Sequence, residues 1–119
     1  MQKVDILRHN MGNNYSSPWT DIYHKFIGSR DFKYMARSVE LYWSDVSFTG
    51  VPAPNGKIKI YYSNSRRSYK LAQEIDINTI NNFNDAVLFE LNPTYTSFRI
   101  EYLKNGIDGG TLTISINYR

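Results

Sequence analysis

The sequence predicts an all-β protein, an antiparallel β-sandwich of about seven or eight strands, on three observations. Apolar and polar residues alternate with a period of two in successive segments, which is the pattern of a strand with one buried and one solvated face. Turn-forming residues separate these segments at intervals of roughly 8–12 residues, as is typical of sandwiches and barrels. Aromatic residues make up 15% of the chain, 10 of them tyrosines, and this composition favours sheets.

The clearest alternation lies in the last third of the chain. In residues 97–104 the alternate residues Phe98, Ile100 and Tyr102 are apolar, and in residues 111–118 every second residue is apolar, from Leu112 to Tyr118. The link between the two segments, residues 105–110, is rich in glycine and supplies the positive φ angles that a hairpin turn needs. We therefore predict that the chain ends in an antiparallel hairpin. Arg99 lies on the polar side of its first arm, where we expect a neighbouring carboxylate to pair with it.

Four further strands are predicted between residues 38 and 91. They are residues 38–48, 57–63, 69–77 and 86–91, and polar or Pro- and Gly-rich segments at 50–56, 64–68 and 78–84 connect them. The first strand is expected to be irregular at Asp45-Val46 and to place Trp43 in the core. The third is expected to be anchored by Leu71 and Ile75.

The N-terminal part of the chain is less regular. The apolar run at residues 4–8 predicts a first strand, which a turn-rich loop follows. Residues 19–37 show no clear period and fit one or two helical turns, an irregular strand, or an arm that lies over a neighbour. We predict a single domain in which residues 1–37 form an irregular segment packed on the domain or on a neighbour, and residues 38–119 form the sandwich.

Composition limits the classes of function. The chain has no cysteine, so disulfides, thiolate metal sites and cysteine nucleophiles are excluded. No apolar run approaches the roughly 20 residues of a membrane helix, and the first ten residues lack the apolar centre of a signal peptide. We therefore expect a protein that is made in a cytoplasm and does not enter a membrane.

Charge is distributed unevenly along the chain. The net charge is +3, with +6 in residues 1–72 and −3 in residues 73–119. Most basic residues alternate along predicted strands or lie in loops, so they do not form the basic face interleaved with aromatics that binds nucleic acid. We expect no nucleic-acid partner, and the asymmetry suits subunits that meet basic side to acidic side.

No pattern of catalytic or metal-binding residues is present. The two histidines, His9 and His24, lack the spacing of a zinc motif, and no serine lies in a nucleophile elbow. Carboxylates for glycoside hydrolysis or loop oxygens for calcium are better explained as solvated strand faces and turn caps. These candidates are Glu40, Glu90, Glu101, Asp76, Asn78 and Asp85. We predict a protein that is not an enzyme and has no metal and no cofactor.

Several aromatic residues fall outside the predicted core pattern. They are Tyr15, Trp19, Tyr23, Tyr42, Tyr61 and Tyr95. On a sandwich, such residues stack on sugar rings or pack against another subunit, because each has an apolar ring and a polar tip. For the N-terminal members we favour contact within an assembly.

Two pairs of motifs resemble a known group of proteins. Residues 47–52 (Ser-Phe-Thr-Gly-Val-Pro) precede residues 56–65, which run from Gly-Lys-Ile to Tyr-Ser-Asn-Ser, and residues 98–105 (from Phe-Arg-Ile) precede residues 110–114 (Gly-Thr-Leu-Thr-Ile). This arrangement resembles small β-sandwich structural proteins of tailed bacteriophages. It resembles discoidin-like carbohydrate- or lipid-binding modules more weakly, and residues 65–69 depart from both patterns.

The resemblance implies a jelly-roll-like sandwich that serves as a virion structural protein, an auxiliary or decoration subunit on the capsid exterior. It implies the major capsid protein or other virion proteins as partners, a homo-oligomer with a trimer favoured, and localisation in the virion. Host surface glycans are a further candidate partner, and a discoidin-like glycan-binding module and a neck or tail adaptor are the alternatives. The residues expected to contact partners are Tyr15, Trp19, Tyr23, Arg66 and Arg67.

Overall fold

The computed structural model of the protein describes residues 3–25, 33–49, 54–78 and 85–119. Throughout these ranges the regular elements are β-strands, and seven of the strands have six or more residues. The strands are β1 (Lys3–Asn10), β2 (Tyr15–Ser16), β3 (Thr20–Asp21), β4 (Tyr23–Lys25), β5 (Lys33–Phe48), β6 (Asn55–Ser63), β7 (Lys70–Asn78), β8 (Asp85–Glu90), β9 (Ser97–Leu103) and β10 (Ile107–Tyr118). The described residues contain no helix long and apolar enough to span a membrane.

The strands form two antiparallel sheets. In sheet A the order is β1, β10 and β5, and β5 also pairs with β8 and β4. In sheet B both β2 and β3 pair with β9, which is followed by β6 and β7. The chain crosses repeatedly from one sheet to the other, in the order of a jelly roll. The predicted all-β, jelly-roll-like sandwich is therefore confirmed.

The core lies between the sheets and is built from alternate residues of the long strands. Trp43 is 1% exposed, as predicted, and Phe98 and Tyr102 are fully buried. Along β9 the intervening side chains are only partly buried, so one face of that strand is inward and the other outward. Burial of each large apolar side chain contributes about 1.5–3 kcal/mol, which makes this alternation the main source of stability.

The predicted terminal hairpin is wrong. Its turn exists, since Asn105 and Gly106 have φ angles of 48° and 103°, and the amide of Ile107 donates a 3.0 Å hydrogen bond to the carbonyl oxygen of Lys104. The two strands then separate, because β9 pairs with β6 in sheet B and β10 pairs with β1 and β5 in sheet A. Both strands present an apolar face to the same core from opposite sides. Alternation specifies that face but not the neighbouring strand.

The predicted irregularity at Asp45-Val46 is confirmed as a bulge in β5. Asp45 has a φ of 56°, and the pairing of β5 with β10 shifts register on either side of Gly109. Gly110, opposite the bulge, has a φ of 120°. The bulge lets the strand bend while Val46 remains buried.

The prediction that Leu71 anchors β7 is wrong, although Ile75 is buried as expected. Leu71 is 46% exposed. The reason is a register shift: Ile60 pairs with Gln73, whereas Tyr61 pairs with Leu71. The extra residue, Ala72, reverses the facing of the strand beyond it.

The N-terminal part of the chain contributes strands to both sheets. Residues 3–10 pair with β10 along their whole length, and the strand alternative for the region after Trp19 is observed in β3 and β4. Between β2 and β3 the hydroxyl oxygen of Ser17 accepts a 2.8 Å hydrogen bond from the amide of Ile100. Residues 26–32, and most of the predicted loops at 50–56 and 78–84, lie outside the described residues.

Candidate functional site

The structure places Trp19 and Arg66 at the same end of sheet B. Trp19 directly precedes β3, and Arg66 lies in the loop that joins β6 to β7. The guanidinium of Arg66 forms a hydrogen-bonded ion pair with the carboxylate of Asp21 in β3. The pair is about half exposed, so it contributes at most about 1 kcal/mol. Its main effect is to hold the loop against β3, the strand that Trp19 precedes.

This loop is built on a buried serine. The hydroxyl of Ser63, at the end of β6, is 2% exposed and donates a 2.6 Å hydrogen bond to the carbonyl oxygen of Ser68. It also accepts hydrogen bonds from the amides of Ser65 and Arg66, at 3.1 and 2.7 Å. These three bonds close the turn locally and fix where its arginines emerge.

Tyr23 lies at the same end of the sandwich, and Tyr15 does not. Tyr23 is 54% exposed and donates a 3.0 Å hydrogen bond to the carbonyl oxygen of Pro93. Tyr15 faces the space between the sheets, where its ring lies 5.1 Å from that of His9, and burial raises its pKa. It lines a slot of about 210 Å³ that opens between β1 and the β2–β3 edge. The five predicted contact residues therefore do not form one surface.

Three aromatic rings surround Arg99 on the outer face of sheet B. Tyr61 is paired with Arg99, and Trp19 is in the next position across β9, because Thr20 pairs with Phe98. The guanidinium carbon of Arg99 lies 5.2, 5.4 and 5.6 Å from the ring centroids of Trp19, Tyr61 and Tyr69. We call Trp19, Tyr61, Tyr69 and Arg99 the aromatic cluster.

The expectation that a carboxylate pairs with Arg99 is wrong for the described part of the chain. There, no carboxylate lies within ion-pair distance of its guanidinium, and its Nε is buried without a hydrogen-bond partner. The three rings take the place of a carboxylate, because a cation is attracted to the negative face of an aromatic ring. The cluster thus holds the positive guanidinium of Arg99, and none of the described residues accepts a hydrogen bond from its N–H groups.

The tyrosines of the cluster differ in their surroundings. Tyr61 donates a 3.2 Å hydrogen bond to a carboxylate oxygen of Glu101, and burial, followed by the charge of Glu101, raises its pKa. Its ring is 5.2 Å from that of Tyr69 in an edge-to-face arrangement at 85°. Tyr69 is 58% exposed. Tyr61 is therefore a fixed wall of the cluster, and Tyr69 presents its surface to solvent.

Sequence reasoning identified Trp19, Tyr61 and Arg99 separately but missed Tyr69, and it did not group them. Tyr69 was assigned to a strand, whereas it precedes β7 and leans towards Trp19 at a centroid distance of 6.2 Å. The one signal in the sequence was an arginine in mid-strand between apolar neighbours. Such a residue needs a partner on the outer face of its sheet.

A second surface of interest is the outer face of sheet A. It carries four apolar side chains that are 41–60% exposed: Val4 and Ile6 on the edge strand β1, Leu88 on the edge strand β8, and Tyr42 on the inner strand β5. Between them lie short polar side chains that are partly buried, which are Ser38, Thr113, Ser115 and Asn117. One row across the face runs from Ile6 through Ser115 and Glu40 to Leu88. The result is a broad face with short polar side chains along β10, exposed apolar side chains on β1 and β8, and the larger Glu40 and Tyr42 exposed on β5.

The remaining polar groups among the described residues are arranged for structure. No group of three or more His, Cys, Asp and Glu side chains there is placed to hold a metal ion. Asp76, considered above for calcium, forms a 2.9 Å ion pair with Lys57, which raises the pKa of that lysine. His9 lies 2.8 Å from the carbonyl oxygen of Asn13. The two outer sheet faces are thus the surfaces with chemistry to offer a partner.

Comparison with known proteins gives likenesses of structure alone. No protein-family model and no curated protein matches the sequence. Similar solved structures include the mitogen derived from Yersinia pseudotuberculosis, with 15% identity, a TM-score of 0.41, and coverage of 99% of this chain and 86% of that one.

Two further similar structures are larger proteins. One is the CBM22-1–GH10 part of Clostridium thermocellum endo-1,4-β-D-xylanase 10B, at 9% identity and a TM-score of 0.38, covering 94% of this chain and 26% of that one. The other is the VP2 subviral particle of infectious bursal disease virus, at 13% identity and a TM-score of 0.38, covering 98% of this chain and 37% of that one. We assign no function from these likenesses, because every TM-score is below 0.5.

Proposed function

We propose that this protein is a non-enzymatic structural protein of a tailed-phage particle, an auxiliary or decoration subunit that binds the capsid exterior. Its partners in this proposal are the major capsid protein or other virion proteins. It assembles as a homo-oligomer, with a trimer favoured, because closed cyclic symmetry matches a threefold position of a shell. The sequence resemblance over residues 38–118 supports this assignment, and the outer face of sheet A supports attachment through a sheet surface.

Exposed apolar side chains are concentrated on the outer face of sheet A, and this is the main support for the proposal. Four of the eight large hydrophobic residues that are exposed in the described chain line the outer face of sheet A, with Ile6 at 57% and Leu88 at 60%. Concentration of such residues on one face marks a surface for a protein partner. The short side chains of β10 allow another surface to approach that strand closely, and the exposed Glu40 beside them requires a polar or basic group on the partner.

Such a subunit stabilises a shell by mass action. A protein that binds the assembled shell but not its free subunits lowers the free energy of the assembly, by about 2.7 kcal/mol per site at a concentration of 100 Kd. Many equivalent sites on a shell multiply this effect. This role therefore requires a rigid domain that binds the shell, and it requires no catalysed reaction. A jelly roll without disulfides can fulfil it.

The test is co-sedimentation of the protein with particles of the phage that encodes it. We expect the wild-type protein to sediment with the particles and Leu88→Lys to bind at least about tenfold more weakly, because a buried unpaired ammonium is costly at an interface. Leu71→Lys is the matched control, since Leu71 is also exposed, at 46%, but lies on sheet B. Equal binding by the two variants, or no sedimentation of the wild type, would overturn the proposal.

A glycan-binding module is the second candidate function, and one observation favours it. The aromatic cluster places the faces and edges of a tryptophan and two tyrosines around a cation on an exposed sheet face. Aromatic walls with a few fixed polar groups are typical of small-molecule sites. Because this cluster lies on sheet B and the proposed attachment face on sheet A, one subunit has room for both.

A further inference from the structure

We propose that the aromatic cluster binds an acidic sugar, with the sugar carboxylate on Arg99 and the sugar ring against Trp19 and Tyr69. This inference rests on the second candidate function, glycan binding, and names its ligand class. It does not depend on attachment to a capsid. The ligand chemistry is that of a uronic or sialic acid residue within a surface polysaccharide.

Arg99 has no ion-pair partner among the described residues. Its guanidinium is held by three rings at 5.2–5.6 Å, and the described residues supply it with neither a hydrogen-bond acceptor nor an ion pair. A guanidinium has five N–H donors in a planar fork that matches the two oxygens of a carboxylate. The rings contact its faces and bury its Nε, while its two Nη groups are not among the buried unpaired atoms and keep donors for a ligand. A carboxylate that approaches the Nη end of the fork accepts hydrogen bonds from both.

The rings around Arg99 form inclined aromatic walls. The rings of Trp19 and Tyr69 are 6.2 Å apart and inclined at 50°, and Tyr69 stands nearly perpendicular to Tyr61. Tyr69 is 58% exposed, so its ring is accessible beside the cation. Inclined aromatic surfaces provide contact for the apolar face of a sugar ring, and they do so with little loss of side-chain entropy.

Charged side chains lie beside the aromatic cluster. The neighbouring loop presents Arg66 and Arg67, and of these Arg66 is paired with Asp21. Glu101 is held in place by the hydroxyl of Tyr61 at 3.2 Å, so it offers a fixed acceptor for sugar hydroxyl groups. The excess of positive charge attracts an anion, and the acceptor distinguishes a hydroxyl-rich anion from a simple one. We therefore favour an acidic glycan over an acidic peptide.

The experiment titrates the 119-residue protein with oligogalacturonides and oligosialic acid by calorimetry and by tryptophan fluorescence. Trp43 is buried, so a change in emission on binding reports on Trp19. Methyl-esterified oligogalacturonide is the matched neutral sugar, and polyglutamate is the acidic peptide. We expect an acidic sugar to bind, with the methyl ester and polyglutamate at least about tenfold weaker.

Variants locate the binding on Arg99. Arg99→Gln should abolish binding of the acidic sugar, and Arg99→Lys should weaken it because the fork is lost. Arg8→Gln is the control, since Arg8 is an exposed arginine on β1 of sheet A, and it should leave binding within about twofold. Thermal unfolding of each variant checks its fold. The Lys variant keeps the positive charge, so it preserves the test if the Gln variant is unstable.

Three results would overturn the inference in distinguishable ways. Equal binding of the acid and its methyl ester, lost in Trp19→Ala, would leave a glycan-binding module without acid recognition. Tighter binding of polyglutamate than of any sugar would assign the cluster to an acidic protein partner. No binding of any probe sugar by the wild-type protein would remove both the acid site and the second candidate function.

Discussion

The hydroxyl of Tyr102 is buried beneath the loop that joins β1 to β2, where it donates a 2.8 Å hydrogen bond to the carbonyl oxygen of Met11. Burial raises the pKa of Tyr102 well above its usual value, and burial also raises that of Tyr62. The sequence placed Tyr102 on the inward face of its strand by alternation. It gave no sign of the acceptor, since Met11 is remote in the chain.

Tyr102→Phe should destabilise the fold by about 1–3 kcal/mol, because a buried carbonyl oxygen loses its donor. It should also change the pH dependence. A raised pKa in the folded state means that the stabilisation is fully present below the unfolded value of about 10 and is lost as the pH rises towards the folded value. Wild-type stability should thus fall above about pH 10, and the variant should fall less steeply.

Urea unfolding near neutral pH and at about pH 11 measures both effects. Tyr23→Phe is the control, because Tyr23 is 54% exposed and shares the tyrosine chemistry without the burial. If the free energy of unfolding fell equally between these two pH values in the wild type and in Tyr102→Phe, the pH effect could not be assigned to this hydroxyl.

Trp19, Tyr69 and Arg99 show what could not be predicted at the residue scale. Arg99 was recognisable as a polar residue in need of a partner. The identity of that partner depends on the register of three strands and on a loop that begins at Ser63. A single sequence contains no direct signal for such register, so the cluster emerged only from the structure.

At the scale of elements, the long strands could be predicted and their pairing could not. Segments 57–63 and 86–91 were expected, and they correspond to β6 (Asn55–Ser63) and β8 (Asp85–Glu90). Alternation reports which side of a strand is apolar. It does not report which sheet the strand joins, and so the Asn105-Gly106 turn was interpreted as a hairpin. A bulge, as at Leu71, also reverses the facing without any sign in the composition.

The bulge of β5 opposite Gly110 makes a direct prediction for this element. Gly110→Ala should destabilise the fold by about 1–3 kcal/mol from backbone strain alone, since Gly110 has a φ of 120°. A Cβ at that position would also lie 3.0 Å from the carbonyl oxygen of Ser44. Because the close atoms belong to the backbone of the bulge, they have little freedom to move.

Gly109→Ala is the matched control for this prediction. Its φ is not in the left-handed region, and the atom nearest to its added Cβ is the hydroxyl oxygen of Ser47, at 2.7 Å, which can rotate away. Chemical denaturation of both variants measures the difference. If Gly109→Ala were as destabilising as Gly110→Ala, the strain would not arise from the bulge.

At the scale of the whole molecule, the two sheets present different surfaces. The outer face of sheet A carries exposed apolar side chains around short polar ones, and the outer face of sheet B carries the aromatic cluster and charged residues such as Lys57 and Glu101. A subunit that is attached by one face and recognises a ligand by the other needs this division. Sequence reasoning placed the partner contacts at Tyr15, Trp19 and Tyr23 and in the Arg66-Arg67 loop, and whether these residues contact partners stays a prediction.

The proposed capsid attachment is tested most directly by a cryo-electron microscopy reconstruction of particles of the phage that, in our proposal, encodes this protein. We expect density for the jelly roll on the capsid exterior, in a closed oligomer. We favour three copies around a threefold position. Sheet A should face the shell, and the aromatic cluster should face outward. A capsid without this density, or one in which sheet B contacts the shell and the face bearing Ile6 and Leu88 stays in solvent, would contradict it.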